Sequence, residues 1–159
     1  MTASLLPVIG KPAPDFSLPS STGETITLRQ FKGKKTVVLY FYPKDETPGC
    51  TKEACSLRDL NEEFDRQNAV ILGVSTDGLE SHKAFAAKHR LPFALLSDED
   101  ASVSKRFGVY KQRNLYGKKY MGIERTTFVI DRTGRIAQIY PKVKVDGHAD
   151  ALLEFVAAD

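Results

Sequence analysis

Residues 36–42, TVVLYFY, form an unbroken β-branched and aromatic run, the pattern of a strand buried on both faces. Pro43 stops it. After a polar loop, Thr47, Pro48 and Gly49 carry turn chemistry, and from Cys50 onward Ala54, Leu57, Leu60 and Phe64 recur at helical spacing among charged residues. The spacing predicts one helix that ends near 67–68, with Cys50 in its first turn. VILGVS at 70–75 reads as a second buried strand, and 79–89 as a helix with Phe85 and Ala86 inward, ended by Pro92. A short strand at 93–96 and a short helix at 101–107, closed by Gly108, follow. Residues 110–122, YKQRNLYGKKYMG, read as a basic, Tyr-rich loop. RTTFVI at 125–130 and RIAQIY at 135–140 are the next strands, joined by a hairpin turn with Gly134 where positive φ is expected, and the last helix covers 148–157.

Upstream, Lys11-Pro12-Ala13-Pro14 is a stiff extended lead-in. Residues 16–18 and 25–28 read as a short hairpin, and 31–35 as a solvated turn. Strand–helix alternation implies parallel pairing, and the closing hairpin makes the sheet mixed, so the fold class is α/β with helices flanking a mixed central sheet. No repeat or internal linker divides the chain, which is expected to form one domain over residues 1–159.

Composition is that of an average globular protein. Lys and Arg exceed Asp and Glu by only three, and the charges are mixed along the chain rather than gathered in a stripe, which argues against a nucleic-acid partner. No segment approaches the ~20 apolar residues that span a bilayer, and the first residues lack a signal-peptide pattern. The expectation is a soluble, cytoplasmic protein without a membrane association. In a reducing compartment its two cysteines are not expected to form a permanent disulfide, which leaves catalytic, redox-sensing or metal-binding roles. Two thiols at this spacing do not supply the four short-spaced ligands of a structural zinc site.

Placed in the first turn of a helix, Cys50 faces unpaired amides and the positive end of the helix dipole, both of which favour a thiolate. Cys50 is thus a candidate nucleophile.

The stretch YPKDETPGCTKEAC carries Pro43, Thr47 and Cys50 in the order Pro-x-x-x-Thr-x-x-Cys, with Glu53 three positions beyond the cysteine. Together with Arg125 at the head of RTTFVID and the preceding YGKKYMGIE, it resembles the peroxiredoxins, in particular the bacterioferritin-comigratory-protein or PrxQ subfamily, from about residue 12 to the last helix. The resemblance implies a thioredoxin fold with an N-terminal β-hairpin extension and no cofactor or metal. It implies that Cys50 attacks peroxide and becomes a sulfenic acid, with Thr47 contacting peroxide or thiolate and Pro43 shielding the sulfur. Arg125 would stabilise charge, Glu53 would orient Arg125, and backbone amides near Gly49 and Cys50 would complete the pocket. Cys55 would be the resolving thiol, forming an intramolecular disulfide that thioredoxin or a similar dithiol reduces, in a protein expected to be monomeric.

Five residues along an intact helix separate Cα atoms by roughly 8 Å, beyond the ~7 Å reach of a disulfide, so the first turns are expected to unwind on oxidation. Two other readings remain. One is a thioredoxin-like disulfide oxidoreductase, which prefers Cys-x-x-Cys to the Cys-x-x-x-x-Cys found here, and the other is a non-enzymatic thiol redox switch. His82, His89 and His148 lie in polar, helical surroundings and read as surface residues, and Arg125 without the motif would read as an exposed partner of Glu124.

Overall fold

In the computed structural model, which describes residues 6–158, a hairpin of β1 (Ser17–Pro19) and β2 (Thr25–Thr27) precedes the long apolar strand β3 (Thr36–Phe41). Then come α1 (Pro48–Asp59), α2 (Asn61–Arg66), β4 (Ala69–Ser75), α3 (Leu79–His89), β5 (Ala94–Ser97) and α4 (Ser102–Arg106). A second hairpin, β6 (Tyr110–Leu115) and β7 (Lys118–Ile123), leads to β8 (Thr126–Ile130), β9 (Ile136–Tyr140) and α5 (His148–Ala158).

The central sheet has the order β5-β4-β3-β8-β9. The crossovers through helices make β3, β4 and β5 parallel, while β8 lies antiparallel to β3 and the final hairpin adds β9 antiparallel to β8. The mixed sheet expected from the alternation of elements is therefore present.

Because β3 is central, its alternating side chains build two cores. Val37, Leu39 and Phe41 join Phe16, Leu18, Ile26, Phe107 and Phe128 on the face covered by the β1–β2 hairpin and α4. Val38, Tyr40 and Tyr42 join Cys50, Ala54, Leu57, Phe64, Phe85 and Leu152 on the face covered by α1, α2, α3 and α5. The nucleophile candidate is therefore part of a core, with its helix seated on the sheet.

Three expectations change. The single helix to 67–68 is broken at Leu60, whose φ of −104° and ψ of 6° end α1 and begin α2. Asp59 and Asn61, residue types of low helix propensity, flank that break. The loop at 110–122 is instead the β6–β7 hairpin, paired from Tyr110↔Ile123 to Leu115↔Lys118. Both of its faces are largely exposed, so apolar alternation does not mark it. Its local signal is the Tyr116-Gly117 turn, where φ is 52° and 79° as a two-residue hairpin of the primed type requires. The histidines are not surface residues: His82 and His148 are buried and His89 is half-buried. Polar partners inside the fold, described below, offset the burial of the rings.

Candidate active site

The site is built where β3 ends. After Tyr42, Pro43 opens a short loop in which Glu46 takes a left-handed backbone with φ of 65°, and Pro48 starts α1 at its first position, where a missing N–H costs nothing. The Thr47 hydroxyl donates to the Lys44 carbonyl at 2.8 Å, so it braces the loop and keeps its lone pairs for another donor. Cys50 is the third residue of α1 and is 1% exposed. The amides of this first turn have no intrahelical acceptor and carry the positive end of the dipole.

Arg125 reaches the cysteine from a distant part of the chain. The register of β3 on β8 pairs Phe41 with Thr126, which sets Arg125 directly beside the exit of β3. Its Nη2 donates to Cys50 Sγ at 3.4 Å and its Nη1 to Glu53 Oε1 at 2.6 Å. Glu53 lies one turn beyond Cys50 on the same face of α1 and is 1% exposed. Gly49 makes this approach feasible, since a Cβ there would lie 3.1 Å from Arg125 Nη2.

Burial pushes the Glu53 carboxyl up to about 7, against the opposing pull of Arg125. Burial also disfavours the charge of Arg125, but Glu53 and Cys50 outweigh it and raise its pKa. Among the described residues, Glu53 Oε2 and the Tyr40 hydroxyl find no hydrogen-bond partner. The Arg125 fork bridges the sulfur and a carboxylate in a largely buried site, where fixed donors act on charge more strongly than in water. Glu124, beside Arg125, turns instead to Lys111 at 3.1 Å.

Both cysteines are free thiols. Cys55 lies on the same helix as Cys50 but is half-buried against α3, with its Sγ 3.9 Å from His89 Nδ1. The structure thus brings Cys50, Glu53, Gly49 and Arg125 together and holds Cys55 apart.

Sequence reasoning missed the network that holds the loop. Asp45 accepts from the Tyr42 hydroxyl at 2.6 Å and the Ser81 hydroxyl at 2.8 Å, and lies 2.7 Å from His82 Nδ1. Its backbone N–H donates to Asp77 at 2.7 Å, and Ser75 donates to the same carboxylate oxygen. His82 Nε2 meets the Leu96 carbonyl at 3.0 Å. Asp45, Asp77 and His82 place ligand atoms within 4.8 Å of one another, as a cation site would, yet these carboxylates already accept from protein donors. The geometry is that of a hydrogen-bonded clamp between the loop and α3. Its local signal is Asp45 three residues after Tyr42, while its partners on α3, Ser81 and His82, lie far along the chain.

The family model described as the AhpC/TSA family matches residues 9–139. The chain belongs to that family. Within it, this peroxiredoxin is 52% identical to Peroxiredoxin Bcp of Bacillus subtilis over 145 residues, covering 91% of this chain and 92% of that protein. It is 44% identical to Peroxiredoxin Bcp of Escherichia coli, over 92% of this chain and 94% of the other. Its structure is similar to Xanthomonas campestris Peroxiredoxin Q, with a TM-score of 0.88 at 45% identity over 94% and 97% of the two chains. A mutant of Xylella fastidiosa PrxQ gives a TM-score of 0.90 at 39% identity over 98% of each chain. The peroxiredoxin has the thioredoxin fold of these relatives, with the β1–β2 hairpin ahead of it. It is a Bcp/PrxQ-type thiol peroxidase, which sets aside the disulfide oxidoreductase and non-enzymatic switch readings. Among the described residues no helix is long and apolar enough to cross a membrane.

Proposed function

We propose that Cys50 is the peroxidatic thiol, that Arg125 and Thr47 hold the peroxide against it, and that Cys55 resolves the product. The observation that carries this reading is the 3.4 Å contact of Arg125 Nη2 with Cys50 Sγ, backed by the ion pair of the same guanidinium with Glu53. The thiolate attacks one peroxide oxygen and the O–O bond breaks. Charge builds on the departing oxygen, where the Arg125 guanidinium and the first-turn amides near Gly49 and Cys50 stabilise it. The departing oxygen takes a proton from solvent and leaves as water or an alcohol, and Cys50 becomes a sulfenic acid. Thr47 Oγ1, its hydrogen committed to Lys44, accepts from the protonated peroxide oxygen, and Pro43 screens the sulfur from water.

The first turns of α1 then unwind so that Cys55 attacks the sulfenic sulfur, giving a disulfide and water. Thioredoxin or a similar dithiol reduces that disulfide in a cytoplasmic, monomeric enzyme. Hydrogen peroxide and organic hydroperoxides both suit the site. A trapped complex of the Xanthomonas campestris bacterioferritin comigratory protein, 44% identical and described for alkyl peroxide reduction, supports the bulkier substrates.

The test is peroxide consumption with thioredoxin and its reductase, alongside mass mapping of the oxidised protein. Cys50→Ser should abolish turnover, and Cys55→Ser should stop the cycle at the sulfenic acid. Turnover that survives Cys50→Ser overturns the assignment. Sedimentation of reduced and oxidised protein checks the monomer.

A further inference from the structure

We propose that His89, oriented by Glu46, is the general base that deprotonates Cys55 for its attack on the Cys50 sulfenic acid. The inference rests on the assignment of Cys55 as the resolving thiol.

Cys55 Sγ lies 3.9 Å from His89 Nδ1, within reach of an S–H···N hydrogen bond. The other ring nitrogen, Nε2, lies 3.2 Å from Glu46 Oε1. A carboxylate only accepts, so Glu46 selects the tautomer with hydrogen on Nε2 and leaves Nδ1 as a bare acceptor facing the sulfur. A thiol, an imidazole and an orienting carboxylate in this order form a base-activated nucleophile. The ring is held from other sides as well. Phe85 packs edge-on at 5.0 Å between centroids, and Arg58 Nη1 donates to the His89 carbonyl at 2.8 Å. Lys88 Nζ sits 3.5 Å from the same Glu46 oxygen, so the charged and titratable groups around the imidazole are Glu46, Lys88, Arg58 and Cys55.

Arg58 also has a dynamic consequence. It ties the later turns of α1 to the end of α3, next to Leu57, which is fully buried. When the first turns unwind, Cys50 swings while Cys55 remains at His89. The proton of Cys55 passes to Nδ1, and the sulfur lone pair forms the S–S bond. The Cys50 S–O bond breaks, and the departing hydroxide takes the proton from the imidazolium to leave as water. Cys55 sulfur is oxidised, Cys50 sulfur is reduced, and no further reagent enters.

An ordinary cysteine thiol is only about 3% thiolate at pH 7, so a local base can speed the attack by up to about thirtyfold. The test is a single turnover with one equivalent of hydrogen peroxide, quenched at intervals and mapped by mass for thiol, dimedone-trapped sulfenic acid and Cys50–Cys55 disulfide. His89→Gln should slow disulfide formation about tenfold at pH 7, so that sulfenic acid accumulates. The deficit should shrink as pH rises towards the range of a free thiol. Glu46→Gln, which keeps the ring, should slow the same step about threefold and serves if His89→Gln fails to fold.

Disulfide formation at the wild-type rate in either folded variant overturns the inference while leaving the resolving role of Cys55 intact. A deficit in His89→Gln that stays constant with pH also overturns it, because a packing role alone would act so. Failure of the wild type to form the Cys50–Cys55 disulfide removes the resolving assignment and this inference together.

Discussion

Arg125→Lys keeps a positive charge and removes the planar fork. In the structure one guanidinium serves two acceptors, Glu53 Oε1 at 2.6 Å and Cys50 Sγ at 3.4 Å. A single ammonium on a shorter reach cannot hold both positions. The shorter bond, to a carboxylate that is 1% exposed, should prevail, because leaving that buried group unpartnered costs most. The contact with sulfur is then lost. A hydrogen bond to a charged group contributes about 1.5–3 kcal/mol, and the lower part of that range applies here because the Arg125 side chain is 17% exposed. A loss of about 1.5–2 kcal/mol corresponds to a rate lower by roughly ten- to thirtyfold. The assay is the second-order rate of the first oxidation of Cys50 by hydrogen peroxide, with iodoacetamide alkylation measured in parallel in a Cys55→Ser background. Both rates should fall by that factor, since both need a thiolate beside a cation. A folded Arg125→Lys protein that reacts with peroxide within twofold of the parent refutes the electrostatic role.

Two buried groups should shape stability against pH in opposite senses. Glu53 is pushed up to about 7 from 4.5 by burial, so the folded state holds its proton more tightly, and stability falls as pH rises from about 4.5 to about 7. His148 is pushed down to about 4 from 6.5, chiefly by burial and then by Arg125, so stability falls as pH drops from about 6.5 to about 4. The slopes oppose each other where the windows overlap. The unfolding free energy measured in urea should therefore climb with pH between 4 and 6.5 in Glu53→Gln and fall between 4.5 and 7 in His148→Gln, each by on the order of 2–3 kcal/mol. Parallel profiles in the two variants would contradict both shifts. Oxidation should also leave its mark on α1: amide-exchange protection across 47–54 should drop in the disulfide form, and equal protection in the two redox states would rule out unwinding.

Much of this protein is decided locally. The run at 36–42 has too few polar positions to be anything but a buried strand, and a Thr-Pro-Gly turn after it leaves Cys50 in the first helical turn. The β8–β9 hairpin and the strand–helix alternation follow from the same short-range periodicities. The motif through Pro43, Thr47 and Cys50 is also continuous in sequence, which is why the family was legible before any fold.

Other features have no local cause. Arg125 meets Cys50 across 75 positions because β3 and β8 share a register, and no periodicity reports a register between strands so far apart. The burial of His82 depends on Asp45 and the Leu96 carbonyl closing around it, and that of His148 on Thr127, 2.9 Å from its Nε2. A polar residue is exposed by default and buried only where a partner from another element meets it. The β6–β7 hairpin escaped because its exposed faces carry no apolar signal, and its pairing rests on a two-residue turn. The contact of His89 with Cys55 belongs to the same class. Sequence determined that two thiols share one helix; only the packing of α3 against that helix decided which of them has a base beside it.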